Sequence, residues 1–171
     1  DTLDDRTDSI RFCKRNWNDW LPENLPSEKK TGIVHGDYSL TNVMIGKNDP
    51  NVIAILDWEL STLGDPCADF NYHCLQYTMN PKLADREYCK TQGIPIIEDY
   101  VKIYSEKINI DLTEEWDLYS AYNLFKLAGI LQGILGRVRD GTAAHENAAE
   151  RASGVRNLSD TAWDLVQKNF L

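Results

Sequence analysis

The segment from residue 35 to residue 70 decides the fold of this chain. It reads HGDYSLTNVMI at 35–45, GKNDPN at 46–51 and VIAILDWELSTLGDPCADF at 52–70. Two runs of β-type residues flank the turn-forming GKNDPN, which predicts a hairpin with a loop longer than two residues. The hairpin places Asn42 at the start of one strand and Asp57 just past the end of the other. Since antiparallel neighbours lie about 5 Å apart, these two side chains are expected side by side.

The order and spacing of Asp37, Asn42 and Asp57 indicate phosphoryl transfer from ATP. One carboxylate must orient the acceptor hydroxyl and take its proton, and oxygen ligands must hold the magnesium ions that neutralise the phosphates. We interpret Asp37 as the base and Asn42 and Asp57 as the residues that bind the metal and its nucleotide, because hard oxygen ligands suit magnesium and not zinc. The alternative is that all three are turn and cap residues, which would not explain their joint spacing.

On the same residues the chain resembles a known superfamily. HGDYSLTN followed by ILDWELSTLGDPCAD is similar to the aminoglycoside phosphotransferase and choline kinase-like superfamily, whose fold is protein-kinase-like. Within it, LDWELSTLGDP and the later YSAYNLFKLAGILQG at 119–133 resemble the kinase-like domain that is fused to some acyl-CoA dehydrogenases. The similarity extends from about Ile33 to Phe170.

The resemblance implies roles for further residues. His35 would join Asp37 as a catalytic residue, with ATP and Mg²⁺ as cofactors. Asp65 and Asp69 would support the site, and Asp69 would brace the catalytic loop. The alternative for Asp69 is a surface carboxylate in the first turn of a helix, where negative charge is favourable. That helix is predicted from Pro66 to about Tyr77, because Asp65 followed by proline is a typical helix start.

The remaining sequence predicts helices. Apolar residues recur at helical spacing in 9–21, 97–108 and 147–171, with a bend expected in the last segment near Ser153 and Gly154. A short helix is expected near 82–91. A long helix should run from about Glu114 to Asp140, ended by Gly141 and preceded by capping residues Asp111 or Thr113. Its three glycines do not form a phosphate loop, since no strand precedes them, so we assign them to close helix packing (Gly129, Gly133 and Gly136).

The superfamily builds its nucleotide site between two lobes, yet only 34 residues precede His35 and they contain neither a nucleotide-covering loop nor a lysine-bearing strand. We therefore expect an α+β, mainly helical fold: the C-terminal lobe of a protein-kinase-like fold, with a small β-hairpin at the catalytic loop. Residues 1–171 would form a single domain, with the catalytic loop and metal site in 33–69 and a helical substrate subdomain in 70–171. Either the N-lobe belongs to the rest of the parent chain, which we prefer because the set Asp37, Asn42 and Asp57 is intact, or the parent protein has dispensed with it.

The expected function is the catalytic and substrate half of an ATP- and Mg²⁺-dependent small-molecule kinase acting on a hydroxyl, with a hydroxyacyl-CoA as one candidate acceptor. Three polar residues of the long helix are candidates for substrate binding, with core or surface positions as the alternative (Tyr122, Gln132 and Arg137). A non-enzymatic binding module acting through its helical face is the alternative function. A metal-dependent hydrolase is a third, weaker one, because it would need further ligands.

Composition limits the partners. The chain has 171 residues and a net charge of -9, so its average surface repels nucleic acid and anionic membranes. It contains no apolar run of the roughly 20 residues that a bilayer span requires, and its acidic start is unlike a signal sequence, so we expect a soluble intracellular protein. The cysteines at 13, 67, 74 and 89 show no CxxC pairing and are expected to be buried thiols. His73 and His145 are isolated and are expected to be structural or solvated.

Overall fold

The structure, a computed structural model, describes residues 17, 19–25, 30–142, 150 and 152–171. The chain divides into two compact units. We call Ser27–Tyr119 the loop unit, because it contains the segment 35–70, and the described residues on either side of it the terminal unit. The expectation of a single domain over 1–171 stays a prediction.

Two antiparallel strand pairs form the β-structure of the loop unit. Gly32–Val34 (β1) pairs with Thr62–Gly64, which places Ile33 opposite Leu63. Val43–Ile45 (β2) pairs with Val52–Ile55 (β3), with an irregularity between Met44 and Ile45. The predicted hairpin is confirmed. Thr62–Gly64 (β4) was not predicted, because three residues are too short for a β-alternation to be recognised.

The longest helix wholly within the loop unit, α1, spans Pro66–Met79. It begins as predicted, with the Asp65 carboxylate accepting the N–H of Cys67 at 2.9 Å. Gly32 lies against its first turn: a Cβ built on this glycine would be 2.7 Å from Cγ of Pro66. The sequence of the loop unit therefore brings β1 and the start of α1 into direct contact.

Two short helices occupy the region where one was predicted near 82–91. Pro81–Ala84 (α2) and Arg86–Thr91 (α3) are separate because Asn80 and Asp85 each cap the helix that follows. The next helix, Ile97–Ile108 (α4), has the predicted bounds.

The core of the loop unit forms where α1 and α4 pack together with the start of the long helix. The rings of Phe70 and Tyr104 stack at 3.7 Å. The buried members of this core are Cys67, Phe70, Cys74, Val101, Leu112 and Tyr119. Three of the four cysteines are buried thiols as predicted (Cys67, Cys74 and Cys89), and Cys13 lies outside the described residues.

The terminal unit contains most of the long helix. Trp116–Arg139 (α5) begins about two residues later than predicted, because Asp111 caps the preceding turn by accepting the N–H of Thr113 at 2.9 Å. Val155–Phe170 (α6) follows a 3-10 turn at Ala152–Gly154, where the sequence suggested a bend. The predicted helix 9–21 lies largely outside the described residues.

Aromatic side chains fill the core of the terminal unit. Trp17 is buried, stacks on Phe125 at 4.8 Å and meets Trp163 edge-on at 6.1 Å. Close packing does not account for the glycines of α5, since among the described residues a Cβ at Gly129 or Gly136 would meet no atom within 4 Å. The fold is mainly helical with small antiparallel strand pairs, as expected. In the described part of the chain, no helix has the length and apolarity needed to cross a bilayer.

Candidate active site

The turn after β1 is held by Asp69 from the first full turn of α1. Its Oδ1 accepts the N–H of Gly36 at 3.0 Å and its Oδ2 accepts the N–H of His35. Gly36 has φ +86°, and a Cβ there would lie 2.5 Å from the carbonyl oxygen of Leu60. The turn therefore requires glycine for both its conformation and its close approach to the neighbouring backbone.

His35 connects this turn to the end of β3. The side chain is 2% exposed, and its Nε2–H donates to the carbonyl of Leu56 at 2.7 Å. Its Nδ1 accepts the N–H of Asp37 at 3.2 Å, which fixes the Nε2–H tautomer. Because both ring nitrogens are hydrogen-bonded to backbone groups, His35 has the geometry of a positioning residue. Its direct participation in catalysis stays a prediction.

Asp37 and Asn42 are joined within one loop. The amide nitrogen of Asn42 donates to the backbone carbonyl of Asp37 at 2.9 Å and to its Oδ2 at 3.3 Å. The carbonyl of Asn42 accepts the N–H of Leu56 at 2.8 Å, so the hairpin places Asn42 beside the residue that precedes Asp57. Because its amide nitrogen faces Asp37, the amide oxygen of Asn42 is the atom that can serve as a metal ligand.

Asp57 follows β3 in a left-handed conformation, with φ 65° and ψ 56°, which aspartate tolerates better than most residues. Its side chain is exposed. The next residue, Trp58, begins a 3-10 turn to Leu60, donates its indole N–H to the carbonyl of Ile55 at 2.7 Å and lies 4.7 Å from the His35 ring. Trp58 therefore covers His35 on the side of the hairpin.

The donor set of the loop suits a hard cation. Residues 35–70 carry six carboxylates and a single lysine, Lys47. Asn42 and Asp57 offer oxygen atoms, and among the described residues no group of three or more His, Cys, Asp or Glu side chains could hold a metal. Magnesium retains several waters and usually takes one or two protein carboxylates together with substrate phosphates, so the Asp57 carboxylate and the Asn42 amide oxygen are ligands of the type that it binds.

Asp65 links the start of α1 to the start of α5. Besides capping α1, its Oδ2 accepts a hydrogen bond from the hydroxyl of Tyr119. Burial, this hydrogen bond and the charge of Asp65 raise the pKa of Tyr119 well above its usual range. Asp65 and Asp69 thus serve different neighbours, although the sequence suggested only that both support the site.

The candidate substrate residues lie in the terminal unit. Tyr122 and Arg137 are exposed, while Gln132 is half-buried with its Oε1 lacking a hydrogen-bond partner among the described residues. Substrate contact by these three side chains stays a prediction.

Two residues of this region, Trp58 and Tyr72, were not predicted from the sequence. Trp58 packs on His35, and burial of Tyr72 on α1 together with the nearby charge of Asp37 raises the pKa of Tyr72 to about 12. A signal for Tyr72 was present, because it follows Asp69 by three residues and helical side chains at that spacing share a face. No local pattern marks Trp58, whose partner is 23 residues away.

The strand pairs, the helical scaffold and the Asp37–Asn42 loop together define a kinase-like phosphotransferase fold. The Phosphotransferase enzyme family matches residues 2–119, and the chain belongs to this family. A candidate aminoglycoside phosphotransferase from Ralstonia eutropha, known from its crystal structure, aligns with a TM-score of 0.82 and 36% identity, over 98% of this chain and 55% of that one.

The curated relatives are much longer proteins. Acyl-CoA dehydrogenase family member 10 of Mus musculus is 37% identical over 155 residues, which cover 87% of this chain and 14% of that protein. Acyl-CoA dehydrogenase family member 11 of Homo sapiens is 33% identical over 158 residues, covering 90% of this chain and 20% of the relative. The chain therefore spans a fifth or less of the length of these two relatives.

Proposed function

We propose that this chain is the catalytic and acceptor-binding part of an ATP- and magnesium-dependent kinase that transfers the γ-phosphoryl group to a hydroxyl of a small molecule. The observation that carries the proposal is a pair of contacts made by Asn42. Asn42 donates to Asp37 through its side chain and is bonded through its backbone to Leu56, which precedes Asp57. A base and two metal-binding residues are the set that phosphoryl transfer requires.

In this proposal the oxygen of the acceptor hydroxyl attacks the γ-phosphorus of ATP, and Asp37 accepts the hydroxyl proton. The bond between the γ-phosphorus and the β–γ bridging oxygen breaks, and ADP leaves. Asn42 and Asp57 hold the metal, and His35 and Asp69 keep the loop in place. Bound magnesium would neutralise the charge of the phosphates. Most of the rate enhancement comes from positioning and electrostatics, which explains why so many contacts fix a loop of eight residues.

We propose a hydroxylated acyl-CoA as the first acceptor to test, because both dehydrogenase-named relatives contain a region similar to this chain. The acceptor would bind beside Asp37, with Tyr122, Gln132 and Arg137 as candidate contacts. Aminoglycosides and choline are the acceptors that the wider superfamily suggests.

We further propose that an N-terminal lobe in the parent protein covers the strand pairs and completes the nucleotide site. Apolar side chains on these strands are exposed, including the directly paired Ile33 at 69% and Leu63 at 74%, together with Ile53 at 63%. Exposed apolar side chains on both strand pairs are typical of a surface that another protein segment covers. An acyl-CoA dehydrogenase fused in the same parent protein is a second proposed partner.

The test compares this chain, a parent protein extended upstream, and the extended Asp37→Asn variant. Each is assayed for phosphate transfer from ATP with Mg²⁺ to hydroxylated acyl-CoAs, aminoglycosides and choline. We expect little turnover by the chain alone, turnover by the extended protein, and a loss of at least ~10²-fold in the variant.

Three results would contradict parts of the proposal. Robust turnover by the chain alone would remove the need for a further lobe. An extended protein indifferent to Asp37→Asn would remove the role of this base. Inactivity of the extended protein with every acceptor would favour a kinase-like binding module, and ATP hydrolysis without any acceptor would favour a hydrolase.

A further inference from the structure

Tyr38, the residue that follows Asp37, packs its side chain against two histidines of the loop unit. The side chain is half-buried, and the centroid of its ring lies 6.1 Å from that of His35 and 5.4 Å from that of His73. Aromatic rings at such distances and at tilted angles attract each other. His35 belongs to the same turn as Tyr38, whereas His73 belongs to α1. The side chain of Tyr38 therefore joins the loop that carries Asp37 to this helix.

His73 is held in turn by Tyr100 of α4. The hydroxyl of Tyr100 and Nε2 of His73 form a hydrogen bond of 3.3 Å, and the two rings meet edge-on with centroids 5.9 Å apart. Tyr100 also meets Phe70 edge-on at 5.1 Å, and Phe70 is a buried member of the core. Nδ1 of His73 is buried and has no hydrogen-bond partner among the described residues, so packing alone positions the ring on that side. A series of side-chain contacts thus runs from Tyr38 to the core of the loop unit.

The peptide group between Asp37 and Tyr38 is anchored at both of its ends. Its carbonyl oxygen, that of Asp37, accepts the side-chain amide of Asn42 at 2.9 Å. Its other end is Cα of Tyr38, which carries the packed ring. Because a peptide group is planar and rigid, two anchors on one peptide group fix its orientation. The Cα of Asp37 lies in the same plane, so these anchors also fix the point from which the carboxylate projects.

We propose that Tyr38 is a positioning residue whose ring, packed against His35 and His73, orients the Asp37 carboxylate toward the acceptor hydroxyl. This inference rests on the proposed function, because it assigns Tyr38 a part in the work of the same base.

The ring of Tyr38, and not its hydroxyl, makes the contacts on which this role depends. Within the part of the chain that the structure describes, the Tyr38 side chain contacts both histidines through its ring, and its hydroxyl has no hydrogen-bond partner. Phenylalanine at this position would keep both ring contacts, whereas leucine would remove them. The pair Tyr38→Phe and Tyr38→Leu therefore distinguishes packing of the ring from contact between the hydroxyl and a substrate.

The experiment uses the extended, kinase-active protein with ATP, Mg²⁺ and the acceptor that gives the highest turnover among hydroxylated acyl-CoAs, aminoglycosides and choline. We expect Tyr38→Leu to lower kcat about tenfold, with KM values for ATP and acceptor changed less than about twofold, because a misplaced base slows the chemical step without weakening binding. Tyr38→Phe should leave kcat within about twofold of that of the parent protein. Tyr88→Leu is the matched control, because Tyr88 is also half-buried in the loop unit and its ring lies 5.9 Å from Nζ of Lys82, outside the loop. The control should change neither kcat nor KM.

Two further variants separate positioning from a general structural effect. In an Asp37→Ala background Tyr38→Leu should cause no further loss of kcat, since no carboxylate is left to orient. His73→Leu removes the ring contact from the side of α1 and should also lower kcat, by less than Tyr38→Leu does, because the contact with His35 remains.

Four kinetic results would overturn the proposal. They are an unchanged kcat in Tyr38→Leu, an equal loss in the parent and Asp37→Ala backgrounds, a loss in Tyr38→Phe as large as that in Tyr38→Leu, and an unchanged kcat in His73→Leu. The last result decides by itself if Tyr38→Leu does not fold.

Urea unfolding of this chain measures the ring contact without using activity. We expect Tyr38→Leu and His73→Leu together to destabilise the chain by less than the sum of the single variants, because each single change already removes the shared contact. Additive losses would overturn the contact itself. Inactivity of the extended protein with every acceptor would overturn the proposed function and the role of Tyr38 with it. A coupled pair in an active protein with unchanged Tyr38→Leu kinetics would overturn the role of Tyr38 alone.

Discussion

The carboxylate of Asp69 accepts the backbone N–H of Gly36 at 3.0 Å across 33 residues of sequence. Its second oxygen accepts the N–H of His35. Hydrogen bonds to a charged acceptor contribute more than neutral ones, and this pair fixes the loop that carries Asp37. The loop that carries Asp37 is therefore held in place by α1 as well as by its own residues.

Replacing Asp69 by asparagine should destabilise the protein by about 2 kcal/mol, since one oxygen becomes an NH₂ group that faces an N–H donor. The exposed Asp99 is a matched control because it also lies in the first turn of a helix, α4, and Asp99→Asn should cost well below 1 kcal/mol. Urea unfolding measures both. Equal losses would show that Asp69 acts only through the helix dipole.

Gly36→Ala should destabilise the loop by at least about 3 kcal/mol, because the added Cβ meets the Leu60 carbonyl in a backbone conformation that alanine disfavours. Gly93 isolates the two effects: it has φ +67°, but a Cβ there meets nothing within 4 Å among the described residues. Gly93→Ala should therefore cost only about 1 kcal/mol. Thermal unfolding of both variants measures the two losses of stability. Similar losses would show that the loop shifts to accommodate the methyl group of Gly36→Ala.

Asp65→Ala should cost about 2–4 kcal/mol, because it removes the cap of α1 and leaves the hydroxyl of the buried Tyr119 without its acceptor. Asp85 is the control, since it caps α3 through the N–H groups of Glu87 and Tyr88 without a phenol partner. Asp85→Ala should cost about 1 kcal/mol. Denaturant titrations in a Tyr119→Phe background should show a smaller loss of unfolding free energy for Asp65→Ala, close to that of Asp85→Ala. An undiminished loss would rule out the contribution of the phenol.

The stability of the protein should decrease below pH 6.5 partly because of His73. Burial lowers the pKa of His73, which lies between the rings of Tyr38 and Tyr100. At pH values below about 6.5 the unfolded chain then binds more protons at this position than the folded chain, so stability is lost as pH falls, by at most about 1.4 kcal/mol per pH unit. Above about pH 6.5 the contribution of His73 to the stability of the protein is constant.

The variant His73→Phe keeps an aromatic ring and should flatten this dependence. Free energies of unfolding at pH 7.5 and 5.5 provide the measurement. The free energy of unfolding of the variant, minus that of the parent protein, should be larger at the lower pH than at the higher one. An identical pH dependence of the two proteins would assign the loss of stability at low pH to other groups.

Local sequence determined the helices and the hairpin. The bounds of α4, the Asp65 cap of α1 and the pairing of β2 with β3 follow from apolar periodicity, from capping residues and from the turn-forming GKNDPN. These signals act between residues that are near in sequence, so they can be read from the chain. The spacing of Asp37, Asn42 and Asp57 likewise identified the candidate site before any fold was known.

Tertiary structure alone decided how that site is held. The pairing of Ile33 with Leu63 and the packing of Trp58 on His35 each join residues more than 20 positions apart. The resemblance implied that Asp69 braces the loop, but only the structure shows that it does so by binding the N–H of Gly36. A side chain's type and its neighbours in sequence do not specify such a partner, because the free energy of these contacts appears only after packing has closed the intervening loops. The sequence therefore named the candidate groups for the chemistry, and packing selected the residues that position them.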